Sequence, residues 1–238
     1  MNNIRLFHPN SIVENSTNLL SKEHTHYVVN VMRLKRGSKI NFFNKEGEWN
    51  SEIIFLEKDR VEVRFLNKIV RGLNESTNIK LAICLVKKTP MEIILQKATE
   101  LGVSKIIPIV SERTEVKEIN YERAKKIVIE ATEQSNQLEP PEISEIIKLK
   151  DFLKSLDVST KILFADVNSG DNLKAEDLKG NKSLCILIGP EGDFSPSERE
   201  SILGNRAVKP FTISKNILRT DTAVISAISL VNFINRNH

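Results

Sequence analysis

Two cysteines in 238 residues, Cys84 and Cys185, both inside apolar runs, provide neither a disulfide framework nor a zinc-ligand spacing. They read as buried free thiols. None of the four histidines, His8, His24, His26 and His238, stands beside the glycine-rich loop described below, so no metal site is expected. No apolar run approaches the roughly 18 residues of a membrane-spanning helix, and the start, Met1-Asn-Asn-Ile-Arg-Leu-Phe7, lacks the apolar region of a signal peptide. The expectation is a cytoplasmic protein without membrane association. Also missing are Gly-x-Gly-x-x-Gly after a strand, Gly-x-x-x-x-Gly-Lys-Ser/Thr, and Gly-x-Ser-x-Gly. These absences argue against dinucleotide dehydrogenases, phosphate-loop nucleotide hydrolases and α/β-hydrolases. There is no internal repeat and no low-complexity tract.

What is present is globular in composition, with 40% hydrophobic and 28% charged residues. The net charge of +4 is unevenly placed: residues 1–72 hold 12 basic and 8 acidic residues, and the remainder is balanced. Val31-Met-Arg-Leu-Lys-Arg-Gly-Ser-Lys39 carries four cations and no acid. It reads either as a solvated surface loop or as a patch that contacts phosphates.

The hydrophobic period changes along the chain. Runs at 38–43, 49–55 and 60–66 are short strands separated by turn signals, with Asn44-Lys-Glu-Gly47 as a hairpin loop. Val61, Val63 and Phe65 alternate with Glu62 and Arg64, so one face is wet. Such strands fit a small barrel, preceded by a short helix from about 21 to 32. The polar stretch 71–78 marks a boundary. Beyond it, strands at 79–86, 106–110, 162–165, 184–188 and 207–213 alternate with helices at 90–101, 121–137, 195–203 and 221–235, giving an α/β domain with a mostly parallel sheet. Thr89-Pro-Met-Glu92 and Ser195-Pro-Ser-Glu198 read as capping boxes with Pro at the first helical position, and Gly102 as a C-terminal cap.

Three segments place polar groups where packing alone prefers apolar ones. Gly189-Pro-Glu-Gly192 follows a buried strand, and two glycines in four residues let a ligand approach the backbone. Ile213-Ser-Lys-Asn-Ile-Leu-Arg-Thr-Asp221 also follows a strand and opens an apolar helix that Thr220 or Asp221 would cap. A cation at a helix N-terminus is unfavourable, so Arg219 points to an anionic partner or a carboxylate. In Glu130-Ala-Thr-Glu-Gln-Ser-Asn-Gln137, helical spacing puts Gln134 on the apolar stripe, where it needs hydrogen-bond partners from the protein or from a ligand.

Together these segments resemble the RsmE-type small-subunit rRNA uridine-N3 methyltransferases of the SPOUT superfamily, over nearly the whole chain from Arg5-Leu-Phe7 onward. Lys97-Ala-Thr-Glu-Leu-Gly-Val103, Glu130-Ala-Thr-Glu-Gln-Ser135, Ile188-Gly-Pro-Glu-Gly192 and Ile217-Leu-Arg-Thr-Asp-Thr-Ala223 match the family's motifs in order. The resemblance implies a PUA-like RNA-binding barrel at 1–72, a linker at 73–78, and at 79–238 a SPOUT α/β domain with a C-terminal trefoil knot that binds S-adenosylmethionine. It also implies a homodimer that acts on small-subunit rRNA, within the 30S subunit. On this reading Ile188, Gly189, Pro190, Glu191, Gly192, Ile213, Ser214, Ile217 and Leu218 enclose the cofactor, with Phe164 and Ala165 completing the wall. Arg219 would stabilise the developing uracil anion or hold a phosphate, and Glu191 is the carboxylate nearest in sequence for the proton. RNA contacts are expected from Arg33, Lys35 and Arg36, and from Arg5, Lys97 and Gln134 on the matching motifs. Departures from the family pattern are Gln137 and Asn216 for arginines, Ser214 and Asp193 for glycines, and Asp221 for a glutamate. They leave open a catalytically weak RNA-binding relative, and a SPOUT enzyme with another rRNA or tRNA target is the further alternative.

Overall fold

Alternating burial along the first strands fixes which face they turn inward. In β5, Val61–Ile69, the side chains of Val61, Val63 and Phe65 are buried while Arg64 is exposed. In β3, Lys39–Asn44, burial is continuous from Ile40 to Asn44, and in β4, Gly47–Leu56, it alternates only beyond the first three residues; Ile40, Phe42, Trp49 and Ile53 join one core cluster. The computed structural model describes residues 4–69, 78–155, 159–180 and 183–236. They divide into two compact units: residues 4–69 with 132–139, and the rest. Residues 132–139, the end of the helix Tyr121–Gln134 and the chain just after it, cluster with the first unit. The expected linker lies, apart from Asn78, outside the described residues.

The first unit holds a five-stranded mixed sheet in the order β1-β3-β4-β5-β2, with β1 at Arg5–Phe7 and β2 at Thr17–Leu19. β1 pairs parallel to β3, and the other pairs are antiparallel. The hairpin between β3 and β4 closes with Asn44 opposite Gly47. Asn44 Oδ1 accepts from Glu46 N at 2.8 Å, and Gly47 has φ +144, a conformation other residues rarely take. Helix α1, Lys22–His26, is capped by Ser21, whose Oγ accepts from His24 N. It widens into a π-helical turn, Tyr27–Val31, and stops at Arg33 in the left-handed region, φ 51.

In the second unit the strands β6 (Ile79–Cys84), β7 (Lys105–Val110), β10 (Thr160–Ala165), β11 (Ser183–Ile188) and β12 (Val208–Phe211) are all parallel, with the short β8 (Glu142–Ile143) and β9 (Ile147–Lys148) beside β7. The order is β12-β10-β11-β6-β7-β8. Ile79, Leu81 and Ile83 of β6 enter one cluster, while Ala82 and Cys84 enter another, so both faces are covered, as a near-continuous apolar strand requires. Helices α2 (Lys88–Glu100), α3 (Tyr121–Gln134) and α6 (Thr220–Arg236) cover the first face. Helices α4 (Leu149–Lys154) and α5 (Pro196–Leu203) cover the second.

The ends of these helices test the sequence reading. Ser195 and Glu198 form the expected reciprocal capping box. Gly102, φ +85, ends α2, with Val103 N bonded back to Ala98 O at 3.0 Å. The box expected at Thr89 does not form. Lys87 is the N-cap and makes no side-chain cap bond, and Glu92 turns instead to Arg123 on α3. Gln134 is exposed rather than on the buried stripe, because α3 ends at that residue.

Candidate functional site

Parallel strands send all their C-terminal ends to one edge, and that edge is where open α/β sheets hold ligands. β10 lies between β11 and β12, with Phe164 beside Leu187 and Pro210, and Ala165 beside Phe211. Ligand-facing groups at this edge therefore come from the loops at 166–174, 189–195 and 212–219. Ile188 belongs to the apolar cluster on which Ala165, Ile213 and Ala223 also pack.

The 189–193 turn is closed by Asp193 N donating to Pro190 O at 3.0 Å. Asp193 adopts φ 57, which explains why glycine suits this position in the family pattern, and its Oδ1 accepts from Phe194 N at 2.7 Å. At Gly189 close approach is the constraint: a Cβ there would lie 3.1 Å from the Phe194 ring. That ring stacks edge-on against Phe164 at 5.7 Å. The turn is tied to the loop after β7 as well. Arg113 Nη1 donates to Gly192 O at 3.0 Å, and Glu112 N donates to the capping Glu198.

In the second loop Thr212 N donates to Asp171 O, and Thr212 Oγ1 to Ser214 O. Ser214 Oγ accepts from Asn216 N at 3.0 Å, so two residues that depart from the family pattern hold each other. Ile217 is 89% exposed, a large apolar side chain with no apolar cover among the described residues. The amides of Glu191, Gly192, Ile217 and Leu218 make no hydrogen bond to another described residue. Unused amides beside an apolar wall suit a ligand that has both polar edges and apolar surface.

Arg219 precedes α6 as its cap, and Ala223 N donates to its carbonyl at 2.8 Å. Its guanidinium is 78% exposed, with only Asp221 Oδ1 at 3.8 Å. Two charged groups here were not singled out from the sequence. Asp166, 4% exposed at the end of β10, receives Arg199 Nη2 at 2.7 Å and Nε at 3.2 Å. That pairing raises the Arg199 pKa above its ordinary value. The only sequence signal was an acid directly after an apolar strand. A cleft of about 630 Å³ lined by Arg113, Asn168, Asp193 and Arg199 lies beside this pair.

Burial pushes the thiols of Cys84 and Cys185 up to about 12, so neither serves as a nucleophile. Among the described residues no group of three or more metal-binding side chains occurs.

Several expected site residues need correction. Phe164 is buried with its ring in the cluster on the other sheet face from Ile188, so its side chain supports the edge loop through Phe194. Arg5 is 8% exposed and its donors are taken: Nε by Glu48 Oε2 at 3.0 Å, Nη1 by Glu133 O at 3.0 Å, and Nη2 by Gln137 O at 3.0 Å. It joins the end of α3 to β1 and is not available to RNA. Lys97, by contrast, needs no correction: its side chain is 38% exposed and its pair with Glu100 at 2.9 Å is a surface one. Arg33, Lys35 and Arg36 are exposed, as a phosphate-contacting patch needs.

Comparison with known proteins agrees with this geometry. Residues 73–232 match the sequence model of the RNA methyltransferase domain, and residues 20–66 that of the RNA methyltransferase PUA domain. Ribosomal RNA small subunit methyltransferase E of Rickettsia conorii is 33% identical over 235 residues, 97% of this chain and 95% of that one. The Bacillus subtilis protein of the same name is 28% identical over 240 residues, covering 93% and 92%. Among solved structures, ribosomal RNA small subunit methyltransferase E of Neisseria gonorrhoeae, bound to S-adenosyl methionine, superposes with TM-score 0.89 at 27% identity over 98% of both chains. A Legionella pneumophila methyltransferase solved with bound SAM gives 0.87 at 28%, again over 98% of each. A PUA-like unit with a mixed sheet precedes a parallel-sheet RNA methyltransferase domain, and the chain belongs to the ribosomal RNA small subunit methyltransferase E family.

Proposed function

We propose that this protein transfers a methyl group from S-adenosylmethionine to N3 of a uridine in small-subunit ribosomal RNA. The observation that carries the reading is the edge of unused amides and apolar side chains at 188–192 and 213–218, in a chain similar to the SAM-bound relatives over nearly its whole length. Bound there, S-adenosylmethionine supplies an electrophilic methyl group. The chain contributes position and charge. The amides of Glu191, Gly192, Ile217 and Leu218 hold polar edges, and Ile188, Ala165, Ile213 and Ile217 exclude water. Fixing both reactants in line provides much of the acceleration. Arg219, exposed beside this edge, meets the anion that forms as the uracil imide loses its proton, or an adjacent phosphate. Glu191, exposed in the turn, is the carboxylate nearest in sequence and is assigned that proton on this ground alone.

The remaining parts of the reading concern assembly. Residues 1–72 act as the RNA-binding unit, with Arg33, Lys35 and Arg36 on phosphates, and 79–238 as the catalytic unit joined by 73–78. The chain passes from β11 across β10 to β12 on the far side, a crossing of the kind a C-terminal trefoil knot needs. The protein works as a cytoplasmic homodimer on the 30S subunit; no helix among the described residues is long and apolar enough to cross a membrane.

The test is nucleoside analysis of rRNA from cells with and without the protein. Loss of 3-methyluridine supports the proposal, and its persistence overturns it. Gln137 and Asn216, neutral where the family pattern has arginine, favour a second reading, a catalytically weak RNA-binding relative. Calorimetric binding of S-adenosylmethionine without methyl transfer to 30S subunits would support that reading.

A further inference from the structure

At the opposite edge of the same sheet, where the parallel strands begin, lies a cavity of about 470 Å³. Its polar side is formed by Lys80, Lys105, Ser144, Ser155 and Thr160, and its apolar wall includes Ile107 and Phe152. The strands are six residues long, so this cavity is separated from the 189–219 edge by about 16–20 Å of sheet.

Two features of the cavity, and one residue beside it, have no use in the fold. Lys80 interrupts β6, a strand otherwise apolar because both its faces are covered. Lys80 is directly paired with Lys105 on β7, so two ammonium-bearing side chains sit on neighbouring strands about 4.8 Å apart. Like charges placed opposite one another destabilise a sheet. One of them, Lys105, is offset by Glu142 at 2.8 Å, whereas Lys80 has no ion-pair or hydrogen-bond partner among the described residues. Glu145 at the cavity is exposed. Finally, Ser183 Oγ is buried without a hydrogen-bond partner. Ser183 pairs with Thr160 and lies on the same strand face as Cys185, which lines the cavity. Ser183 does not itself line the cavity; its unpaired hydroxyl lies beside Thr160 and Cys185, which do.

We infer that this cavity binds a nucleotide phosphate, with Lys80 and Lys105 on the phosphate, the serine and threonine hydroxyls beside it, and the base or sugar against Ile107 and Phe152. The volume suits a mononucleotide. The phosphate can come from a free nucleotide or from an RNA strand, and the two sources are separable by experiment. This site is distinct from the proposed methyl-donor edge and does not depend on methyl transfer.

The experiment titrates the full-length protein with 5′-UMP, inorganic phosphate and a short single-stranded RNA, by calorimetry and thermal melting. In the wild-type protein UMP binds and raises the melting temperature. Lys80→Met weakens that binding about tenfold or more. Without ligand this variant melts no lower than wild type, since a like-charge pair has been removed. Lys105→Met gives a second variant should Lys80→Met fold poorly. If UMP binds and phosphate competes, the ligand is a free nucleotide. If only the RNA binds, and both lysine variants weaken it, the phosphate belongs to a strand. Binding of UMP and RNA that is absent, or equal in wild type and both variants, overturns the inference.

Discussion

Arg5 and Glu48 show how much one buried pair can organise. Glu48 is fully buried and held by Arg5 Nε at 3.0 Å and Asn41 Nδ2 at 2.7 Å, while the same guanidinium stacks 4.1 Å from the centre of the Phe43 ring. Removing one partner of a buried pair leaves an uncompensated charge. Arg5→Ala should therefore cost about 3–5 kcal/mol in chemical denaturation. Arg5→Lys should recover only part of it, since an ammonium cannot span the carbonyls of Glu133 and Gln137 together with Glu48. His24 offers a pH test. Burial is the main cause lowering its pKa, helped by His8 and opposed by Glu23. The folded state thus binds the proton less readily than the unfolded chain. Stability is fully present above about pH 6.5 and falls as the pH drops through the lowered value. Urea midpoints across that range should decline for the wild type and decline less for His24→Gln. For Arg219, solvent-exposed and in no close hydrogen bond, Arg219→Ala should leave the melting temperature unchanged and lower kcat about 100-fold. Unchanged turnover would remove its assigned role.

At the scale of elements, the π-helical turn and the basic run after it form one surface feature. Tyr27, Val31 and Met32 are exposed along the turn, and Arg33, in the left-handed region, ends it before Lys35 and Arg36. An aromatic ring beside a run of cations suits a single-stranded RNA segment. Changing Arg33, Lys35 and Arg36 together to glutamine should weaken RNA binding and reduce the slope of log K against log salt by about 2. An unchanged slope would mean the run is only solvated surface. Elements with a continuous apolar run or a clear cap are legible in the sequence: β6, β11, α5 and α6 fall within one or two residues of their expected bounds. The strands β1, β2, β8 and β9, of two or three residues, and the short helix α4 are not, because so few residues carry no measurable period or cap signal and their packing partners fix them. The Thr89 box failed for a similar reason: Arg123, 31 residues away, attracts Glu92 more strongly than the local amide does.

For the whole molecule, the prediction concerns assembly. Phe233 is 68% exposed on α6, whose opposite face packs into the core through Val224, Ala227, Ile228 and Val231. If α6 lies at the proposed dimer interface, Phe233→Asp should shift the protein from dimer to monomer in light scattering coupled to size exclusion. A persistent dimer would exclude this part of α6 from the interface.

Local patterns alone carry the change from alternating to continuous apolar strands, the glycine turn at 189–192, the Ser195 cap and the four ordered motifs. Each has a physical requirement, a period, a bare Cα or a cap, that is met within a few residues. The fold settles instead that Arg5 is a buried clasp rather than an RNA contact, that the Phe164 ring packs on Phe194, that Asp166 is paired with Arg199, and that Lys80 stands beside Lys105. Those outcomes depend on strand register and on partners tens of residues apart, which no local pattern encodes.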